Sequence, residues 1–145
     1  MRKVESEKDL VQTLILRMKE KGFHVQKNSR MRFGAVDLVA WNSKQILIFE
    51  VKYVVHEYFT ACFHDLLQGL GQLLSYREQF PLRKLRKELQ GLPVRYILYS
   101  NGEIEFDPHY IFLKGLCAKY DVTLWMPYVN HVRISEDHIE IKDGL

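Results

Sequence analysis

The sequence predicts an α/β fold in which helices flank a mixed central sheet. Apolar residues recur at helical spacing over residues 4–21. Two apolar, β-branched-rich runs within residues 34–53 flank a polar Asn-Ser-Lys, which is the pattern of a β-hairpin. Helical and strand patterns then alternate as far as residue 126, as in a sheet covered by helices. The 145 residues predict a single domain over residues 1–145.

Capping and breaking residues indicate where individual elements begin and end. Ser6 is a candidate N-cap with Asp9 three residues on, and Gly22 is a candidate stop for the first helix. A short strand at 23–27 and a polar, basic loop at 28–32 lead into the hairpin. The later predictions are a long helix at 59–80, a basic helical turn at 82–90 and a buried strand at 94–99. They continue with a helix at 109–119, a strand at 122–126 and one or two edge strands within 132–142.

Composition favours a folded protein in a reducing compartment. Hydrophobic residues make up 47% of the chain, and no apolar run reaches the length of a membrane span. The charged stretch after Met1 is not typical of a signal peptide. Cys62 and Cys117 lie in apolar segments without metal-ligand spacing, which predicts buried free thiols. We therefore expect a cytoplasmic protein that does not engage a membrane.

The hairpin carries charge where a buried strand should be apolar. If its turn is centred between Ser43 and Lys44, Asp37 faces Glu50, and Lys52 shares the face of Glu50. Facing carboxylates repel and unpaired buried charge is costly, so a positive group must lie between them. Lys52 is one candidate, and a divalent cation such as Mg²⁺ or Mn²⁺ is the other. The alternative interpretation is an ion-pair cluster that only stabilises the sheet.

An Asp on one strand followed by Glu-x-Lys on the next resembles the core of the PD-(D/E)XK nuclease superfamily. Here these residues are Asp37 and then Glu50-Val51-Lys52. The resemblance implies a restriction-endonuclease-like core. The first helix and strand look like the opening of archaeal Holliday-junction resolvases, in which a helix Glu completes the metal site. The residues that carry this second resemblance are Glu7, Leu10, Val11, Leu14, Gly22, Phe23 and Val25.

The long helix presents a polar ridge, because Gln68, Gln72 and Tyr76 follow at steps of four residues. A Gln-x-x-x-Tyr at this distance after Glu-x-Lys resembles the helix motif of RecB-type nucleases, where both residues contact the site and the substrate strand. A solvated helix face is the alternative. Gly69 and Gly71 disfavour a straight helix and indicate close packing against a neighbouring element.

The resemblance covers roughly residues 5–76 and implies a division of roles. Asp37 and Glu50 would be metal ligands, with Glu7 and the Val51 carbonyl; a Glu7 carboxylate that only complements the helix dipole is the alternative, and Glu5 could take its place. Lys52 would stabilise developing negative charge beside the attacking water. Gln72 would orient water or a phosphate, and Tyr76 would support it.

Two departures from the family pattern concern the start of this motif. Val36 stands where the superfamily name has Pro, a position that varies. The Gly-Ser-rich loop of junction resolvases is replaced by Asn28-Ser29-Arg30-Met31-Arg32, which puts junction specificity in question but not the cutting chemistry.

The distribution of charge indicates one cationic face. Residues 1–36 carry a balance of +5, residues 37–101 of +2 and residues 102–145 of −4. Basic residues near the hairpin and in the helical turn are candidates for contacts with DNA phosphates; ordinary solvated surface is the alternative. These candidates are Arg30, Arg32, Arg83, Lys84, Arg86 and Lys87.

The predicted function is that of a metal-dependent DNA nuclease that hydrolyses phosphodiester bonds with Mg²⁺ or Mn²⁺. A junction resolvase, a RecB-type strand nuclease and a restriction-like enzyme remain open. The alternatives are a non-catalytic nucleic-acid-binding or assembly module with the same fold, and an unrelated α/β domain. A homodimer is expected because two strands need two sites, with Tyr110 and Tyr128 as exposed aromatic candidates for its interface.

Overall fold

The computed structural model describes residues 4–31, 33–55, 59–80, 87–102, 108–129 and 132–133. It has an α/β architecture in which helices flank a five-stranded mixed sheet. The strands of this sheet are His24–Arg30 (β1), Ala35–Trp41 (β2), Ile46–Lys52 (β3), Val94–Ser100 (β4) and Val122–Trp125 (β5). They lie side by side in the order β1-β2-β3-β4-β5. Strand β2 is antiparallel to both of its neighbours, β1 and β3, and β3, β4 and β5 are parallel.

The predicted helices are confirmed as Glu7–Glu20 (α1), Phe59–Gln79 (α2) and Pro108–Lys119 (α3). The Ser6 side chain accepts a hydrogen bond from the backbone N–H of Asp9 at 3.1 Å and caps α1 as predicted. Gly22 adopts a φ of +87°, a left-handed conformation that glycine tolerates and that ends the helix.

The hairpin register is the one counted from the sequence. Asn42 forms the turn, where its side-chain oxygen accepts the backbone N–H groups of Lys44 and Gln45. The backbone pairing stops one position short of Asp37 and Glu50. The paired residues are Leu38–Phe49, Val39–Ile48, Ala40–Leu47 and Trp41–Ile46.

The first strand is longer than predicted. Pairing of β1 with β2 continues to Arg30 opposite Ala35, so most of the predicted loop at 28–32 belongs to the strand. A tight turn follows, closed by the N–H of Met31 donating to the carbonyl of Gly34 at 2.9 Å. The polar residues looked like a loop because β1 is an edge strand, where exposed polar side chains are tolerated.

Two hydrophobic clusters cover opposite faces of the sheet, because consecutive β3 side chains alternate between them. One cluster joins α1 to Leu47, Phe49 and Val51. The other joins α2 and α3 to Ile46 and Ile48. Cys62 and Cys117 are buried free thiols in the second cluster, as predicted. Glu50 and Lys52 therefore belong to the face that α2 covers.

The chain's later part departs from the predictions in two ways. The predicted edge strands are represented by Val132–Arg133 (β7), which pairs with an unpredicted strand, Tyr128–Val129 (β6), in a separate two-stranded sheet. A 3-10 turn at Lys87–Leu89 ends the predicted basic turn. Residues 81–86 and 134–142 lie outside the described residues.

The expectation of an exposed Tyr110 was wrong. Tyr110 is buried with Leu113 and Cys117, which follow at helical spacing on the face of α3 that meets the core. Its neighbours Ile111 and Phe112 point to solvent instead. The Tyr128 side chain lies outside the described part of the structure.

The helices of the described residues are all too short or too polar to traverse a bilayer.

The two glycines of α2 differ in their surroundings. A Cβ at Gly69 would lie 2.9 Å from Leu98 Cδ1 and 3.2 Å from Lys52 Cγ and Cε, whereas a Cβ at Gly71 meets nothing within 4 Å. Close packing is thus confirmed at Gly69 and not at Gly71.

We predict opposite effects of alanine at these two positions. Gly71→Ala should raise the free energy of unfolding by up to about 1 kcal/mol, because alanine favours helix and meets no clash. Gly69→Ala should lose about 1–3 kcal/mol to overpacking, partly offset by the same helix gain. Chemical denaturation of both variants checks this, and an equally stabilised Gly69→Ala protein would contradict the packing.

Candidate active site

Asp37 lies in β2, one residue beyond the last backbone pair with β3. Its Oδ2 accepts the backbone N–H of Val51 at 2.8 Å. A side-chain oxygen thus takes the place of a backbone partner at this end of the hairpin. The bond holds the Asp37 carboxylate against the strand segment that contains Glu50 and Lys52, as the counted register predicted.

Glu50 is a buried carboxylate with an unsatisfied oxygen. The residue is 3% exposed, and its Oε2 has no hydrogen-bond partner. Burial, next the negative charge of Asp37 and then a side-chain hydrogen bond with Asp37 raise the pKa of Glu50 to about 9. Lys52 and the Tyr76 hydroxyl oppose this shift without cancelling it. Without a further cation, burial and the charge of Asp37 favour the protonated form of Glu50.

Lys52 supplies only part of the compensating charge. Its Nζ lies 3.7 Å from Glu50 Oε1, an ion pair at the long end of the range. The aliphatic part of its side chain runs over Gly69 of α2. The sequence offered Lys52 or a divalent cation as the positive group beside Glu50. Lys52 pairs with Oε1 of Glu50, but Oε2 has no hydrogen-bond partner.

The strand end that carries Lys52 is fixed by a buried side-chain amide. Asn101 is fully buried just beyond β4, and its Oδ1 accepts the N–H of Val54 at 2.7 Å. Its Nδ2 donates to the carbonyl of the same residue at 3.0 Å. These two hydrogen bonds join the chain just after β3 to the end of β4, and so they fix the backbone two residues after Lys52.

Helix α2 brings Gln72 and Tyr76 to this face. The Oε1 atom of Gln72 is buried and has no hydrogen-bond partner. The Tyr76 hydroxyl donates to the carbonyl of Ala35 at 2.9 Å, and burial together with the charges of Glu50 and Asp37 raises its pKa. Gln68, the third member of the predicted ridge, is exposed. The alternative of a solvated ridge therefore holds for Gln68 and fails for Tyr76.

Glu7 lies at the periphery of the cluster. It is exposed at the start of α1, yet partial burial of its carboxyl and the charge of Asp37 raise its pKa, while Lys52 lowers it. Glu5 acts elsewhere, because burial and, after it, the charge of Glu5 raise the pKa of Tyr53. Between the two candidates from the sequence, Glu7 is the one coupled to Asp37.

The chemistry of these groups fits a hard divalent cation. Within the described ranges, no group of three or more His, Cys, Asp and Glu side chains is close enough to form a metal site. Mg²⁺, however, needs only one or two protein carboxylates and keeps several waters. Asp37 and the unpartnered Oε2 of Glu50 supply such a pair. The roles of Glu7 and of the Val51 carbonyl as further ligands stay predictions.

The predicted phosphate-binding residues are described only in part. Arg30 is exposed at the end of β1, and Lys87 is exposed in the 3-10 turn. The other four, Arg32, Arg83, Lys84 and Arg86, lie outside the described residues.

Sequence reasoning missed one residue that shapes the site's rim. Gln79, the last residue of α2, uses both atoms of its amide on the backbone of Phe33: Oε1 accepts its N–H at 2.8 Å and Nε2 donates to its carbonyl at 3.1 Å. No sequence pattern predicts this contact, because Phe33 and Gln79 are 46 positions apart in the chain. Asn101 was interpreted only as a turn residue for the same reason.

Compared with models of protein families, with curated proteins and with solved structures, the chain matches none of them.

We predict that stability in the presence of EDTA falls as pH rises from about 4.5 towards 9. In this window the folded state keeps the Glu50 proton that the unfolded state releases, since the pKa is raised from 4.5 to about 9. The slope can reach about 1.4 kcal/mol per pH unit for one group. Thermal melts of the parent and Glu50→Gln check this, because the variant should lack the slope. A parent slope that survives in Glu50→Gln would assign it to another group.

We also predict that Gln72→Met stabilises the protein. The substitution removes a buried amide oxygen that has no partner, at similar side-chain volume, and should gain about 1 kcal/mol. Urea denaturation measures the gain. Gln68→Met, at the exposed end of the ridge, is the matched control and should change stability by less than about 0.5 kcal/mol. A destabilised Gln72→Met protein would indicate a structural role for the amide.

Proposed function

We propose that this protein is a metal-dependent DNA nuclease with a restriction-endonuclease-like core, which hydrolyses phosphodiester bonds. One observation carries the proposal: the buried carboxylate of Glu50 lies against Asp37 with one oxygen unpartnered. A purely structural cluster would satisfy its buried oxygens, because a buried polar atom without a hydrogen-bond partner lowers stability. The unpartnered amide oxygen of Gln72 at the same face supports a ligand-binding role.

The proposed catalytic roles follow from the position and chemistry of each side chain. Asp37 and Glu50 hold Mg²⁺ or Mn²⁺, which when bound lowers the pKa of water and polarises the phosphate. Lys52 stabilises the negative charge that develops on the phosphate oxygens. Gln72 orients the attacking water or a phosphate oxygen through its amide. Tyr76 keeps the start of β2 in place through its bond to Ala35.

Binding of DNA would rest on the basic part of the chain. Arg30 and Lys87 are exposed and can contact phosphates, together with Arg32, Arg83, Lys84 and Arg86 if these lie on the same face. The positive balance of the first two-thirds of the chain and the negative balance of its end support a single cationic face. The homodimer stays a prediction.

A panel of DNA substrates tests this function. Four-way junctions, flapped and linear duplexes and single strands are incubated with Mg²⁺, Mn²⁺ or EDTA. We expect cleavage that requires the metal and is abolished in Asp37→Asn, since the variant loses a ligand charge. Lys52→Ala should cut about 10²–10³-fold more slowly, the usual effect of removing one group that stabilises a developing oxyanion.

Lys44→Ala is the matched control for Lys52→Ala. Lys44 is an exposed lysine in the turn at the opposite end of the same hairpin, so its removal should leave the rate unchanged. A parent that binds DNA without metal-dependent cleavage would favour the non-catalytic binding module. A parent that neither binds DNA nor gains thermal stability from Mg²⁺ or Mn²⁺ would favour an unrelated α/β domain with a structural charge cluster.

A further inference from the structure

The turn between β1 and β2 presents an exposed aromatic ring on a rigid backbone. Phe33 is 67% exposed, the highest value among the large hydrophobic residues described as exposed. Gln79 binds both its N–H and its carbonyl, and the Nε2 of Gln79 also donates to Ser75 Oγ at 2.9 Å. The N–H of Met31 closes the turn on the carbonyl of Gly34. Three hydrogen bonds therefore hold the backbone of this turn, and the bond to Ser75 orients the Gln79 amide.

This turn is continuous with the candidate active site. The position that a Cβ would take at Gly34 lies 3.6 Å from Tyr76 Cε1 and 3.7 Å from its hydroxyl. The same hydroxyl donates to the carbonyl of Ala35, two residues after Phe33. Asp37 follows four residues after Phe33, so at most about 14 Å of chain separates the exposed ring from the carboxylate.

The chemistry around Phe33 favours a nucleic acid over an apolar partner. Residues 21–36 contain no Asp or Glu and include Lys21, Lys27, Arg30 and Arg32. Lys27 and Arg30 are exposed on β1, which leads directly into the turn. A planar ring on a turn that follows exposed cations is a combination suited to binding a base face and the adjoining phosphates. A ring whose backbone is already ordered binds at a lower entropic cost.

We propose that Phe33 stacks on an unpaired DNA base that flanks the cleaved phosphate, so that the enzyme selects flapped, branched or single-stranded DNA over continuous duplex. Inside a continuous duplex both faces of each base are covered by neighbouring bases, and a side chain can stack only after unstacking them. A base at a flap, branch or strand end offers a free face. This inference rests on the proposed nuclease function and specifies its substrate class.

Binding measurements on the cleavage-deficient Asp37→Asn protein test the proposal. Fluorescence anisotropy compares a blunt duplex with the same duplex carrying a single-stranded flap, with 2-aminopurine as the first flap base. Phe33→Ala should bind the flapped DNA roughly tenfold more weakly and the blunt duplex within twofold of the parent, because one stacked base is lost. Binding should quench 2-aminopurine emission in the parent and in Phe33→Trp, and less in Phe33→Ala and Phe33→Leu.

Phe112→Ala is the matched control. Phe112 is also an exposed phenylalanine, at 60%, but it lies on α3 beside Phe63 and not on the turn. Its substitution should leave both affinities unchanged. Phe33→Ala should melt within a few degrees of the parent, since the substituted ring is exposed.

Several outcomes would overturn the inference. Equal loss of affinity for flap and duplex in Phe33→Ala, or equal loss in Phe112→Ala, would exclude specific stacking. A change of mass in sedimentation on Phe33→Ala would make the turn a self-association surface instead. A parent that cuts DNA while Phe33→Ala binds and cuts like it would reject this inference and leave the nuclease function standing. Absence of any DNA binding and cleavage by the parent would reject both.

Discussion

The crowding of two carboxylates at one end of a hairpin is the constraint on which the site depends. Asp37 accepts the N–H of Val51, which brings it against Glu50, and α2 covers Glu50 almost completely. Burial and, after it, repulsion by the charge of Asp37 raise the pKa of Glu50 to about 9. Lys52 compensates for one oxygen at a long distance and leaves the other without a partner. Such an arrangement lowers stability unless Glu50 keeps a proton or a cation completes the site.

Helix α2 forms the wall of this site because one of its faces is shaped for close approach. Gly69 lets Leu98 and the Lys52 side chain pass where a Cβ would collide. Gln72 and Tyr76 follow on the same side at one and two turns. The far end of the helix holds the β1–β2 turn through Gln79. A single helix therefore positions the lysine, the unpartnered amide and the turn that carries Phe33.

The sequence predicted the centre of the site and most helices correctly, but it did not predict every strand end or every buried side chain. Alternation along two strands brought Asp37, Glu50 and Lys52 together correctly, because the period of a strand leaves no freedom once the turn is located. The helices followed from apolar spacing and from the Ser6 cap. The end of β1 was missed because an edge strand exposes polar residues as a loop does. Tyr110 was misassigned because apolar residues occur on nearly all faces of α3, so spacing did not identify its inner face.

By itself, the sequence determined the α/β class, the hairpin register and the identity of the charged residues, since each depends on neighbours within a few positions or across one turn. Only the tertiary structure decided that one oxygen of Glu50 and one of Gln72 are buried without partners. It also decided that Gly69 allows close packing against α2, and that the Asn101 and Gln79 side chains hydrogen-bond to the backbone of distant segments. These properties come from packing between segments distant in the chain, and burial and satisfaction of a polar atom are defined only once such segments meet.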